Sequence, residues 1–237
     1  MKSAEDPLAT AMGELGARFG LGRTQEQQLL ALLGALTSDS APTAVREPRQ
    51  ALRAHIADSL TAIELAATRS SRSVLDIGAG AGLPGLPLAI ALPHSEVWLL
   101  ESQHRKCAFL EGACQAAGIG NAHVVCVRAE EWAAGMGSSD LALARALAPQ
   151  PVVLEYAAPL LREGGTLIDW RGRRNPEEEE ASTTAAAELG LRLQAIHWAN
   201  PYEEARDHHL HEFLKIAPTP SRFPRRAGVA RKRPLGC

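Results

Sequence analysis

Residues 74–88 read VLDIGAGAGLPGLPL, an apolar strand-like run followed by a turn dense in glycine. Glycine lets the backbone approach a ligand closely at the carboxyl end of a strand. Gly80, Gly82 and Gly85 match the GxGxxG spacing of dinucleotide-binding folds, although this spacing alone is a weak signal. The stretch predicts a strand, a ligand-binding turn and a helix, in that order, and so an α/β fold.

Strand-like and helix-like runs alternate from Ser73 onward. SVLDIG precedes PGLPLAIAL, and EVWLLE precedes SQHRKCAFLEGACQAAG. This alternation predicts βαβ units and a parallel sheet. Near the end, the runs LRLQAIHWA and HLHEFLKIA have no helix between them, which predicts an antiparallel hairpin. We therefore expect a Rossmann-like fold with a seven-stranded, mostly parallel sheet that ends in this hairpin.

Apolar spacing and charge divide the chain into three parts. Residues 1–70 carry helical apolar spacing and predict a small helical region, with Pro48 in the first turn of its third helix. Residues 71–217 form the predicted α/β domain. Residues 218–237 hold six basic residues and no acidic one, and removing these charges from the total of −2 leaves −8 for the rest. A basic tail on an acidic body favours contact with a polyanion.

Two acidic residues indicate which ligand the glycine turn binds. Asp76 lies two residues before Gly78, where a carboxylate is unfavourable beside a pyrophosphate but suits a ligand with an ammonium group. S-adenosylmethionine (SAM) has an ammonium group and no phosphate. Glu101 ends the second strand and suits the ribose hydroxyls, which NAD and SAM share. With the terminal hairpin, these residues favour SAM, and an NAD-dependent oxidoreductase is the weaker alternative.

The other residue types indicate no metal site, disulfide or membrane segment. The four cysteines form no CxxC pair, so we expect free thiols. His209 and His211 would share one face of a strand, but we interpret them as edge residues rather than zinc ligands. No apolar run approaches the roughly 18 residues that span a bilayer. The amino-terminal residues lack the apolar core of a signal peptide, so we expect a cytoplasmic protein.

Five segments together resemble the RsmG family, also called glucose-inhibited division protein B. They are HIADSL (55–60), DIGAGAGLPGLPLAI (76–90), RAEEW (128–132), ARALAP (144–149) and the basic tail. The resemblance implies a SAM-dependent enzyme that methylates N7 of a guanine in 16S rRNA of the small ribosomal subunit. We expect it to act as a monomer, without a metal or a membrane.

The resemblance also implies the residues of the cofactor site. Gly78 and Leu83 match family contacts in the glycine turn, and Ala129 and Glu130 match the pair beside the adenine. Arg145 matches the arginine that ends the fourth strand, and we expect it to orient a phosphate, a base edge or the cofactor carboxylate. The predicted cofactor-binding residues are Gly78, Gly80, Gly82, Leu83, Glu101, Ala129, Glu130 and Arg145.

The expected reaction needs no catalytic acid or base. N7 of guanine has a free lone pair and no proton to lose, so it can attack a methyl group directly. Holding two reactants in line can contribute roughly 7–11 kcal/mol. The sequence shows no Ser/His/Asp or Cys/His nucleophile set. We therefore predict catalysis by positioning, with no catalytic residue.

Two further functions stay open. One is a SAM-dependent methyltransferase of a small molecule, which the basic tail disfavours. The other is a non-catalytic ribosome-binding protein with a SAM fold, which the intact glycine turn and Glu101 disfavour. We expect valine at Gly80 or Gly82 to block SAM by filling the space of the ligand. We expect the tail to stay extended along the rRNA backbone, the alternative being a tail that folds back and completes the domain.

Overall fold

The computed structural model describes residues 6–236, and its centre is a seven-stranded sheet of order β3-β2-β1-β4-β5-β7-β6. The strands β1 to β5 pair in parallel, whereas β7 runs antiparallel to β5 and β6. The predicted mostly parallel sheet with its terminal hairpin is confirmed. The strands are β1 (Ser73–Ile77), β2 (Glu96–Glu101), β3 (Ala122–Cys126), β4 (Ser139–Arg145), β5 (Leu161–Arg171), β6 (Leu191–Trp198) and β7 (His209–Lys215).

Helices cover both faces of this sheet. The third helix predicted from the sequence begins at Pro48 as expected, but a π-helical segment (Leu52–Ala57) and a 3₁₀ turn (Thr61–Glu64) interrupt it. The α-helices are α1 (Pro7–Phe19), α2 (Arg23–Leu36), α3 (Pro48–Ala51), α4 (Asp58–Leu60), α5 (Ala66–Ser70), α6 (Gly85–Ala91), α7 (His104–Ala117), α8 (Gln150–Ala157), α9 (Pro176–Glu188) and α10 (Val229–Lys232).

Three of the helices begin with the same local signal, an acceptor side chain followed by proline. The side chain accepts a hydrogen bond from the backbone of the first turn, and proline there gives up no intrahelical bond. The pairs are Asp6–Pro7 at α1, Glu47–Pro48 at α3 and Asn175–Pro176 at α9.

Two hydrophobic layers enclose the sheet. On one face, Leu32 of α2 packs in the same core as Leu86 of α6 and Leu110 of α7. On the other face, Val153 of α8 shares a core with Ala185 of α9. The first core continues from the helices before residue 70 into the α/β region, so the amino-terminal helices are built onto the sheet.

The basic tail is folded onto α8. Phe223 and Ala230 are buried in the second core. Arg225 pairs with both carboxylate oxygens of Glu155, a residue that is only 1% exposed. The expectation of an extended tail is therefore wrong, and the tail completes the domain. Composition could not reveal this arrangement, because the acidic partner lies 70 positions away.

Cys107 in the first turn of α7 and Cys126 at the end of β3 form a disulfide, with 5.9 Å between their Cα atoms. This bond corrects the expectation of free thiols for these two residues, whereas Cys114 is free and Cys237 lies outside the described residues. No spacing motif signals the pair, because the topology alone places the start of α7 beside the end of β3. Within residues 6–236, no cluster of three His, Cys, Asp or Glu side chains could hold a metal ion. No helix in the same range is long and apolar enough to cross a membrane.

Candidate cofactor site

A cleft of about 560 Å³ lies at the carboxyl ends of the central strands. The strand order changes direction between β1 and β4, and open α/β sheets bind ligands outside the carboxyl ends of strands at such a point. Gly78, Glu101, Ala129 and Glu130 line the cleft. The structure thus brings together predicted residues from the ends of β1, β2 and β3.

Gly78 must be glycine for two reasons. Its φ is +70°, a left-handed backbone that favours glycine. In addition, a Cβ atom at this position would lie 2.5 Å from Leu147 Cδ1, so the Leu147 side chain, which also lines the cleft, would have to shift.

Glu101 ties the glycine turn to the end of β2. Its carboxylate accepts hydrogen bonds from the backbone N–H groups of Gly80 at 3.1 Å, Ser102 at 2.7 Å and Gln103 at 2.9 Å. A carboxylate offers about four acceptor positions, so capacity is left for a ligand hydroxyl. The side chain therefore both shapes the turn and presents an acceptor where a ribose would bind.

Asp76, Gly82 and Leu83 are buried behind the turn rather than in the cleft. Asp76 Oδ2 accepts from the N–H of Gly85 at 2.8 Å, and burial raises the pKa of Asp76 to about 7. A Cβ on Gly82 would collide with Leu86, a core residue. The structure does not bring Asp76 into the lining of the cleft, and its contact with a ligand ammonium stays a prediction. The expectation that valine at Gly82 fills the ligand's space is corrected. These residues support the turn from behind.

Arg145 also lies outside the lining of the cleft. Its Nη1 donates to Asp58 Oδ2 at 2.7 Å and to the carbonyl of Ala54 at 3.3 Å. Asp58, which is 4% exposed, also pairs with His208 Nδ1 at 3.0 Å. The structure therefore joins Arg145 to α4 and the π-helical segment, and does not bring it to Glu101. Its role in orienting a ligand stays a prediction.

Sequence reasoning missed one wall of the cleft. Ala146 and Leu147 follow β4, Tyr156 lies on α8, and Arg231 comes from the tail. Ala146 has a φ of +53°, a left-handed conformation that costs a residue with a side chain roughly 1–2 kcal/mol. Such strain is concentrated at functional sites. Ala146 and Leu147 lie in the ARALAP segment and Arg231 lies in the basic tail, but neither segment indicates that these residues meet Tyr156 in one wall.

Comparison with known proteins assigns the family. The family model described as rRNA small subunit methyltransferase G (GidB) matches residues 24–210. Ribosomal RNA small subunit methyltransferase G of Rubrobacter xylanophilus is 37% identical over 231 residues, which cover 95% of this chain and 87% of that protein. The chain belongs to this family. Its membership in the rRNA small subunit methyltransferase G family confirms the predicted methyltransferase activity and the SAM cofactor.

Further comparisons agree with this membership. The family member from Syntrophomonas wolfei is 40% identical over 186 residues, which cover 78% of this chain and 86% of that protein. Among solved structures, Aeropyrum pernix fibrillarin with bound SAM matches with a TM-score of 0.53 at 17% identity, over 67% of this chain and 73% of that chain. The mitomycin 7-O-methyltransferase MmcR matches with a TM-score of 0.57 at 12% identity, over 87% of this chain and 73% of that one. The two solved structures confirm the Rossmann-like methyltransferase fold and nothing further.

Proposed function

We propose that this protein transfers a methyl group from SAM to N7 of a guanine in 16S rRNA of the small ribosomal subunit. The observation that carries the proposal is a cleft at the β1/β4 reversal point, lined by Glu101 and Glu130, in a chain of this family. The family name supports the rRNA substrate, and the resemblance to the RsmG family supports 16S rRNA and guanine N7. We further propose that the protein acts as a monomer in the cytoplasm.

The residues of the cleft suit the adenosine part of SAM. Gly78 allows close approach of a ligand to the backbone at the end of β1. The Glu101 carboxylate has about one acceptor position left for a ribose hydroxyl. Ala129 and Glu130 follow at the end of β3, where the adenine would lie. SAM supplies the methyl group when it is bound. The chain's own residues hold and orient the reactants.

Arg145 and its partners offer a second contact for the RNA. Nη1 donates to Asp58 and to the carbonyl of Ala54, which leaves Nε and Nη2 to donate to a phosphate or a base edge. Because Asp58 also holds His208, the guanidinium is fixed before the substrate arrives. A group fixed in advance loses less entropy on binding.

Mapping of the methylated bases of 16S rRNA by mass spectrometry tests this function. We expect 7-methylguanine at one position in cells that contain the protein and an unmodified guanine there in cells that lack it. Titration calorimetry of the purified protein should detect binding of SAM and none of NADH. Unchanged 16S rRNA together with methylation of a small molecule would support the alternative substrate class, and binding of NADH alone would refute the cofactor.

A further inference from the structure

The tail forms part of the cofactor cleft. Its position is fixed at two points, by the ion pair of Arg225 with Glu155 and by the burial of Ala230 in α10. Between them, the N–H of Gly228 donates to Glu130 Oε1 at 2.9 Å. Since Glu130 lines the cleft, the tail holds one of the acidic groups that a ligand would meet.

Arg231 reaches the same part of the cleft from α10. Its Nη2 donates to the carbonyl of Leu147 at 3.1 Å, and its side chain lines the cleft with Tyr156 and Glu130. Burial raises the pKa of Tyr156, and the nearby Arg231 guanidinium opposes that rise. A guanidinium is planar, has five N–H donors and no acceptor, so donors remain after the bond to Leu147.

Arg231 and Glu130 both line the cleft near Tyr156, so this part of the cleft offers a ligand both a donor and an acceptor. The edge of adenine presents the complementary pair, because its ring nitrogen N1 accepts and its exocyclic amine donates. Hypoxanthine presents the reverse, an N–H at N1 and an oxygen in place of the amine. The Leu147 carbonyl fixes Arg231 and the Gly228 N–H fixes Glu130, so the two groups cannot simply exchange positions.

We propose that Arg231 determines the specificity of the cleft for adenine, by donating to its ring nitrogen while Glu130 accepts from its amine. This assignment rests on the proposed function as a SAM-dependent enzyme. The basic residues of the tail then have two roles, one toward the cofactor and one toward RNA. The side chains of Arg231 and Arg226 are both exposed, but Arg231 lines the cleft, whereas Arg226 lies outside its lining, where it is free to meet RNA.

Binding of S-adenosylhomocysteine and S-inosylhomocysteine, measured by titration calorimetry, tests the assignment. We expect wild-type protein to prefer the adenosyl ligand by 10-fold or more. Arg231→Ala should weaken the adenosyl ligand roughly 10-fold and the inosyl ligand much less, because about one charge-assisted hydrogen bond is lost. Arg231→Lys keeps the charge without the planar fork and should fall between the two. Arg226→Ala, the matched control, should change neither affinity.

Three results would overturn the assignment. An equal loss of affinity for both ligands in Arg231→Ala would mean that Arg231 only supports the fold. Unchanged affinity for both, with weaker rRNA binding and a salt slope smaller by about 0.7–0.9, would mean that it contacts a phosphate. Failure of the wild type to bind either ligand would refute the proposed function itself, and this outcome is distinguishable because it does not depend on the variant.

Discussion

The ion pair between Arg225 and Glu155 should contribute strongly to stability, although Arg225 lies in a segment that composition suggests is free. Both carboxylate oxygens of Glu155 accept from the Arg225 guanidinium, and the Glu155 side chain is 1% exposed. Replacing Arg225 by methionine would leave this carboxylate buried with only the backbone N–H of residue 225 at 3.4 Å. Removal of one partner of a buried pair typically costs about 3–5 kcal/mol.

Urea denaturation measures the effect. With a slope of about 3 kcal/mol per molar urea, the expected loss moves the midpoint of Arg225→Met down by roughly 1 M or more. The double variant Arg225→Met/Glu155→Leu should recover most of this loss, because an apolar pair of similar volume often replaces a buried ion pair without cost. Arg226→Met, the exposed neighbour, should stay within about 0.5 kcal/mol of wild type. A single variant as stable as wild type, or a double variant no better than the single, would refute the reasoning.

Four other changes give expected outcomes. Glu101→Gln should weaken SAM and S-adenosylhomocysteine alike in calorimetry, by roughly 10-fold, because a charge-assisted hydrogen bond to the ribose is lost; a loss confined to SAM would contradict the ribose contact. Gly82→Val should lower the melting temperature even without ligand, since the new side chain collides with the core. Unchanged stability together with lost SAM binding would instead mean that the valine side chain fills the space of SAM. Cys126→Ser should lower the free energy of unfolding by about 3 kcal/mol without reductant, as expected for opening a loop whose ends are 19 positions apart, and a reductant should abolish this difference. Asp169→Asn should make the free energy of unfolding less dependent on pH. Burial raises the pKa of Asp169 to about 7 in the folded protein, although Arg171 opposes this rise. Between about pH 4 and pH 7 only the unfolded wild type releases this proton, so wild-type stability falls as the pH rises through that window. Thermal melts at pH 5 and pH 7.5 would show whether the variant lacks this fall.

The parts of the fold with local signals could be predicted from the sequence. The strand before Gly78 and the helix that begins at Gly85 are apolar runs on either side of a glycine turn, and both elements form as expected. Glu101 could be placed in the site because it ends the next strand, and parallel neighbours bring their carboxyl ends to one edge. These inferences need only the order of elements along the chain.

The partners of side chains could not be predicted in the same way. Arg145 was identified by its motif, but its contact with Asp58 joins residues 87 positions apart. The six tail cations appear alike in the sequence, yet Arg225 is paired with a buried acid and Arg231 lines the cleft. Charge and spacing describe what a residue can bind, and only the tertiary structure decides which partner is within reach.

The two halves of the cleft differ in how far apart their residues lie along the chain. The bond from Gly80 to Glu101 closes a separation of 21 positions, whereas that from Gly228 to Glu130 closes one of 98. Longer loops lose more entropy on closure, and distant contacts form later in folding. The ribose half should therefore assemble early, within one βαβ unit, and the wall from the tail should be added last. In native-state hydrogen exchange, the amide of Gly228 should open at a lower free energy than that of Gly80, so that the adenine end of the cleft can open while the rest of the sheet stays folded.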